Sequence, residues 1–292
     1  MILNVSGRTD IVAFFTPWFL KRLEAGFVDV RNPFYPKLVN RIYFHNVDAF
    51  VFCTKNPLPI IPHLAKISQP IIFEVTITPY QNDIERNVFN KDKIINSIQD
   101  IANIVGKDNV WIRYDPIFIS KKYSLDYHIK AFSKLCGLLK NSTEHIIVSF
   151  LDNYKNVNKN LPYIKPLPLS FKDYEKLGKS FFEVANRYGI KIQTCCEKVD
   201  LTQYGFIKND CVSKEYIFAL TGKKFPKWSS RPCNCVQMVD IGAFNSCKHL
   251  CRYCYANYDE DLINTNVANH DPNSSLLIGR LQNDDIIKER KD

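Results

Sequence analysis

Three cysteines near the end of the chain carry the sharpest chemical signal. They stand in Cys247-Lys-His-Leu-Cys251-Arg-Tyr-Cys254, a C-x3-C-x2-C spacing with an aromatic residue before the last thiol. Three thiolates on one short loop can bind three irons of a [4Fe–4S] cube, whereas a closed structural site needs a fourth protein ligand. The iron left without a cysteine is then free to bind a small molecule.

The chain has ten cysteines, and eight of them fall between Cys195 and Cys254. The opening Met-Ile-Leu-Asn-Val-Ser-Gly-Arg lacks the basic, apolar and small-residue zones of a signal peptide, so a cytoplasmic location is expected. In a reducing compartment such crowding points to metal rather than to disulfides. Cys195, Cys211, Cys233 and Cys235 make a full ligand set either for an auxiliary [4Fe–4S] cluster or for a tetrahedral zinc. Cys195 shares a strand face with Gln193 and Glu197, which makes it a better site candidate than Cys196. Cys53 and Cys136 sit in apolar runs and read as core residues. His45, His63, His128 and His145 are scattered singly and read as surface or satisfied core positions.

The elements that must position these groups alternate along the chain. Runs 2–6, 49–54, 71–78, 110–115, 146–152, 190–196 and 236–244 each read as a strand, and 18–25, 91–105, 125–139 and 171–187 have helical spacing. Strand alternating with helix predicts a parallel sheet with right-handed crossovers. Seven strands without a Gly-rich phosphate fingerprint predict an α/β chain forming a complete or partial (β/α) barrel of TIM-barrel type. One domain over 1–292 is the simplest division, with 200–232 as a cysteine-containing insertion and 258–292 as a C-terminal cap. In run 71–78, Glu74, Thr76 and Thr78 share one face; in 110–115, Trp111, Arg113 and Asp115 share one. Charges are costly under helices, so Glu74, Thr76, Arg113 and Asp115 are placed on the inner face toward the C-terminal mouth, where barrel enzymes build their sites.

The loop spacing, with Tyr253 in the aromatic slot, resembles the signature of radical S-adenosylmethionine enzymes. The resemblance implies a cluster held by Cys247, Cys251 and Cys254, with the open iron chelating S-adenosylmethionine and Tyr253 near its adenine. In that superfamily the cysteine loop follows the first strand, and here it follows the last. The resemblance therefore implies a circularly permuted barrel in which the cluster-binding strand and loop are C-terminal. Ser6-Gly7-Arg8-Thr9-Asp10 would then lie beside the cluster, with Thr9 and Asp10 in the place of the residues that hold the cofactor's amino group. Thr54-Lys55-Asn56-Pro57-Leu58, followed by a helix, a strand and Arg113-Tyr114-Asp115-Pro116-Ile117, is similar to the spore photoproduct lyase-like branch. These segments, with His270-Asp-Pro-Asn-Ser274, also resemble a bacterial family known only as a domain of unknown function.

The implied activity is reductive cleavage of S-adenosylmethionine to a 5′-deoxyadenosyl radical that abstracts hydrogen from a substrate, with a flavodoxin or ferredoxin as electron donor. Glu74, Thr76, Arg113 and Asp115 are then candidates for holding cofactor or substrate. The sequence names neither a catalytic residue nor the substrate. Lys+Arg 39 against Asp+Glu 30 leaves a net +9 that suits an anionic partner, so nucleic acid stands beside peptides and small metabolites. No uninterrupted apolar run approaches a membrane span, so no membrane partner is expected. The competing class is a zinc-binding nucleic-acid module, because eight clustered cysteines suffice for two four-cysteine sites.

Overall fold

Alternation of apolar residues at period two and period 3.6 produces the elements seen in the computed structural model, which describes residues 1–208, 211–229 and 233–291. Its strands are β1 (Ile2–Asn4), β2 (Phe27–Arg31), β3 (Leu38–Tyr43), β4 (Ala49–Thr54), β5 (Ile71–Thr76), β6 (Val110–Ile117), β7 (His145–Phe150), β8 (Lys191–Thr194), β9 (Met238–Asp240) and β10 (Ile286–Glu289). Seven of them form one parallel sheet in the order β8-β7-β6-β5-β4-β1-β9. All seven expected strands are therefore present in one sheet, and the last in sequence, β9, pairs with the first, Ile2 opposite Met238. The molecule is an α/β fold built on this sheet; among the described residues no ladder joins β8 to β9.

Each strand divides its side chains between two cores. Leu3, Phe50, Phe52, Phe73, Val75, Ile112, Val148 and Ile192 belong to the core under the long helices. Burying each such side chain contributes about 1.5–3 kcal/mol. Ile2, Val51, Ile72, Trp111, Ile147 and Met238 face the other way and pack against Cys211, Val212, Ile217 and Val236. The 200–232 segment thus supplies part of the cover of the second face, although residues 209, 210 and 230–232 lie outside the described residues. Ile207 runs beside β8 through a parallel bridge to Gln193.

The helices Lys91–Val105, Leu125–Leu139 and Phe171–Arg187 have the expected bounds because side-chain caps fix their starts: Asn90, Ser124, and a Ser170/Asp173 capping box. Phe132 and Phe181 stack 4.0 Å apart between the last two, and Tyr114 of β6 meets both rings edge-on. His128 is a satisfied core residue, with Nδ1 3.0 Å from the Tyr114 hydroxyl and Nε2 3.0 Å from the Phe118 carbonyl.

Several expectations are corrected. No α-helix joins β4 to β5; a 3-10 turn, Ile61–Lys66, does, since Pro57, Pro59 and Pro62 remove helical hydrogen bonds. The strand expected over 236–244 is only Met238–Asp240, because the chain must turn away at Gly242 to build the cysteine loop. A second sheet, β10-β3-β2, was not foreseen. Its hairpin sets Asp29 opposite Arg41, joined at 2.8 Å, and the expected cap contributes the helix Glu260–Ala268 and β10.

Candidate functional site around the cysteine loop

The C-terminal ends of β9, β1, β4 and β5 lead into the loops that surround Cys247–Cys254. Left-handed backbone at Asn245 (φ 52°) and Leu250 (φ 53°) folds the loop back on itself. Side-chain amides then hold it: Asn257 Nδ2 donates to the Cys247 carbonyl at 2.8 Å and Asn160 Nδ2 to that of Arg252 at 2.8 Å. The loop after β5 clamps it from the other side. Glu85 and Cys251 form an antiparallel bridge, Arg252 N donates to the Ile84 carbonyl at 3.0 Å, and Asn87 N to that of His249 at 3.0 Å.

Cys247 and Cys251 are buried and Cys254 is half-buried. Burial pushes all three thiols up, and each also feels another thiol of the trio or the charged groups nearby. Opposing this, the backbone N–H of His249 serves Cys247, those of Ala256 and Asn257 serve Cys254, and Lys55 stabilises the thiolates of Cys251 and Cys254. Among the described residues, no group of three or more His, Cys, Asp or Glu side chains is placed to hold a metal ion as it stands.

Glu85 is the electrostatic centre of this region and was not singled out from the sequence. It is 1% exposed and accepts hydrogen bonds from Lys55 Nζ at 2.7 Å, from Thr78 Oγ1 at 2.6 Å, and from Lys91 and the Tyr253 hydroxyl. Burial alone would raise its carboxyl, but Lys55 and Lys91 overcome that and hold it at about 2. A lone glutamate in a polar loop offers no periodicity, so only the three-dimensional arrangement reveals it.

Asp10 joins three loops. Its Oδ1 accepts from Ala13 N at 2.9 Å and Thr54 Oγ1 at 2.8 Å, and its Oδ2 faces Lys55 N at 2.8 Å and His249 Nε2 at 2.9 Å. Both oxygens are thus engaged within the chain. Tyr253, expected beside an adenine, points its hydroxyl at Glu85 and packs near Tyr80. Four buried polar atoms nearby have no hydrogen-bond partner among the described residues: Thr9 Oγ1, Asp240 Oδ2, His249 Nδ1 and Asn257 Oδ1.

On the second face of the sheet, Arg113 joins the expected carboxylates. Its Nη1 lies 3.1 Å from Glu74 Oε2, and its Nη2 lies 2.6 Å from Asp115, which also accepts from the Ser149 hydroxyl. Thr76 pairs in register with Arg113 from β5. Cys53, expected as a core residue, belongs to this network and donates to Glu74 at 3.1 Å, because Cys53 and Glu74 are register partners on adjacent strands. Cys136 does lie in the apolar core, where burial pushes its thiol to about 12. Glu197, half-buried beyond β8, is raised to about 8 by burial, with Asp152 and Asp115 adding to the shift against the Phe150 N–H it accepts.

The five remaining cysteines gather behind Arg113. Cys195 Sγ lies 3.4 Å from Cys211 Sγ, which lies 3.1 Å from Cys235 Sγ. Cys196 contacts Cys195 and Cys233, although strand alternation would have separated it from Cys195. The reason is that β8 ends at Thr194 and Cys196 takes a left-handed backbone, φ 56°.

No curated protein matches this sequence. Among solved structures, the carboxyl transferase domain from Rhizobium etli pyruvate carboxylase is similar over 79% of this chain and 35% of that one, with 14% identity and a TM-score of 0.36. This chain therefore spans about a third of that structure, and so low a score carries no argument. No helix among the described residues is long and apolar enough to cross a membrane. Residues 2–256 match the family model described as a domain of unknown function, DUF1848, and the chain belongs to that family.

Proposed function

We propose that this chain is a radical S-adenosylmethionine enzyme whose cluster is held by Cys247, Cys251 and Cys254. The observation that carries the reading is chemical. Of three thiols on one loop, Cys247 and Cys254 receive backbone N–H groups and Cys251 and Cys254 feel the charge of Lys55, and four buried polar atoms without a partner among the described residues stand on the segments around them. Thiols that burial pushes up ionise only against a cation, and buried polar atoms need partners. The three cysteines match in number the three ligated corners of a cube, and their spacing offers no fourth cysteine for a closed zinc site. We read the sheet as a partial, circularly permuted (β/α) barrel with β9 in the place of the usual first strand.

When bound, a [4Fe–4S] cluster with one open iron supplies one-electron cleavage of S-adenosylmethionine to methionine and a 5′-deoxyadenosyl radical. The residues of this chain do the rest. Cys247, Cys251 and Cys254 would each hold an iron, and Lys55 would keep positive charge against Cys251. Thr9 Oγ1, His249 Nδ1 and Asn257 Oδ1 would offer hydrogen bonds to the bound cofactor. Arg113, with Glu74, Thr76 and Asp115, would orient polar groups of the cofactor or substrate on the second face of the sheet. The apolar cover from Val212, Ile217 and Val236 would keep water from that face. A flavodoxin or ferredoxin would deliver the electron, and the net +9 favours an anionic substrate, nucleic acid included.

The test is anaerobic isolation with iron and sulfide analysis, followed by incubation with dithionite and S-adenosylmethionine. The wild-type chain is expected to be brown and to form 5′-deoxyadenosine, and Cys251→Ala to form none. A colourless wild-type protein that binds zinc at this loop, or equal product from both chains, refutes the reading.

A further inference from the structure

We propose that Cys195, Cys211, Cys233 and Cys235 form a second site that takes a single thiophilic ion, with zinc as its chemical type, and that Cys196 is the dispensable fifth thiol. This inference does not depend on the activity proposed above.

Three chain segments converge here: the end of β8, residue 211, and residues 233–235 just before β9. The sulfurs form a closed circuit of contacts: Cys195 with Cys211, Cys211 with Cys235, Cys235 with Cys233, Cys233 with Cys196, and Cys196 with Cys195. A single buried cysteine packs as a small apolar residue. Five weak S–H groups facing one another gain nothing that alanine or valine would not supply better.

Spacing favours one ion over a cluster. A tetrahedron with zinc–sulfur bonds of about 2.3 Å holds its sulfurs about 3.8 Å apart. The two contacts of 3.4 and 3.1 Å need to open only slightly to reach that. A four-iron cube, with its thiolates on separate corners, demands a much wider opening. The close packing also accounts for the lack of a ready-made metal geometry among the described residues. Binding would deprotonate the four thiols and release their protons to solvent. Four thiolates around a divalent ion keep two negative charges, and Arg113 faces both Cys195 and Cys211 to oppose them.

The site also has a structural task. Between β8 and β9 the described chain has one α-helix, Lys214–Thr221, and is tied by isolated bridges such as Gln193 to Ile207 and Lys227 to Val236. One ion would fasten this segment to the sheet at its start, middle and end. Cys196 is the least buried of the five, which marks it as the spare.

The experiment uses the full chain carrying Cys247→Ala, Cys251→Ala and Cys254→Ala, supplied with zinc chloride, dialysed and analysed for metal. One zinc per chain is expected to remain. Adding Cys211→Ser should lower retained zinc at least tenfold, and adding Cys196→Ser should leave it unchanged. Cobalt(II) in place of zinc should give thiolate-to-cobalt charge-transfer absorption that Cys211→Ser abolishes. If the triple variant fails to fold, the same comparison is made in the wild-type background, where Cys211→Ser should remove one zinc per chain. No retained zinc with all five thiols open to a thiol reagent overturns the proposal. So does iron with sulfide in its place, a Cys211–Cys235 disulfide in the isolated protein, or equal loss of zinc from Cys196→Ser. Failure to form 5′-deoxyadenosine leaves it standing, because the mouth cysteines are absent from the test.

Discussion

The ammonium of Lys55 stands 2.7 Å from Glu85 Oε1, and this ion pair, 12% and 1% exposed at its two side chains, ties the loop after β4 to the loop that clamps Cys251. Lys91 approaches the other oxygen of the same carboxylate. Two cations therefore share one buried anion.

Replacing Glu85 by Gln should consequently leave Lys55 and Lys91 facing each other without compensation. Removal of one member of a buried pair costs about 3–5 kcal/mol. The variant is expected to lose that much unfolding free energy at pH 7, and so to unfold at lower urea. The wild-type carboxyl, held at about 2 against an ordinary 4.5, contributes stability that is complete above pH 4.5 and is lost as pH falls toward 2. Glu85→Gln should lack that acid slope, and an unchanged urea midpoint at pH 7 would refute the role assigned to Glu85.

Much of this architecture is legible in the sequence, for a physical reason. The seven strands of the main sheet are short apolar runs, and the three long helices begin at residues whose side chains bond the first free N–H groups. The split of β5 between Phe73 and Val75 on one side and Glu74 and Thr76 on the other follows from the period of the pleat alone. The strand β10, Ile286–Glu289, could not be read this way, because all four residues are exposed and its pairing with β3 is a matter of backbone hydrogen bonds. Glu85 was hidden for a similar reason: it acts by joining loops that lie far apart in the sequence, as Asp10 also does. Alternation misled at Cys196, where the strand had already ended.

Arg113 spans Glu74 and Asp115, so its loss should reveal their mutual repulsion. Arg113→Met is expected to destabilise the chain by about 3–5 kcal/mol. Adding Glu74→Gln should recover part of that loss, since one of the two stranded charges is gone. A double-mutant cycle in urea measures the coupling, and additive effects would show that the three groups do not act as a unit.

His128 supplies a pH test that does not involve the cysteines. Burial lowers it from 6.5 to about 4, against the Phe118 carbonyl that favours its charged form. The unfolded chain therefore binds the proton more readily than the native one between those values. Stability from this residue is complete above pH 6.5 and falls by about 3 kcal/mol as pH drops to 4. Comparison of urea midpoints at pH 7 and pH 4.5 should show a smaller fall in His128→Gln than in the wild type. An equal fall in both would place the acid sensitivity elsewhere.

Gly7 and Gly242 test how tightly the start of the cysteine loop is built. A Cβ at Gly7 would lie 1.9 Å from Asp240 Oδ2, a contact that no small adjustment relieves. Asp240 is held in place by Arg8 Nε at 2.8 Å and by Gly242 N at 2.7 Å, so Gly7→Ala must break one of these to move it. At Gly242 the added carbon would meet Thr9 N at 3.1 Å, Arg8 N at 3.2 Å and Asp240 Oδ1 at 3.2 Å, contacts that call for shifts of only a few tenths of an ångström. Gly7→Ala should therefore destabilise the chain by about 1–3 kcal/mol and Gly242→Ala by less. Under the proposed activity, Gly7→Ala should also form 5′-deoxyadenosine at least tenfold more slowly, because Asp240 ends the strand that delivers Cys247 to the mouth. The reverse order of stability would mean that Asp240 yields more easily than the backbone of Thr9, and that the β1–β9 junction does not set the position of the loop.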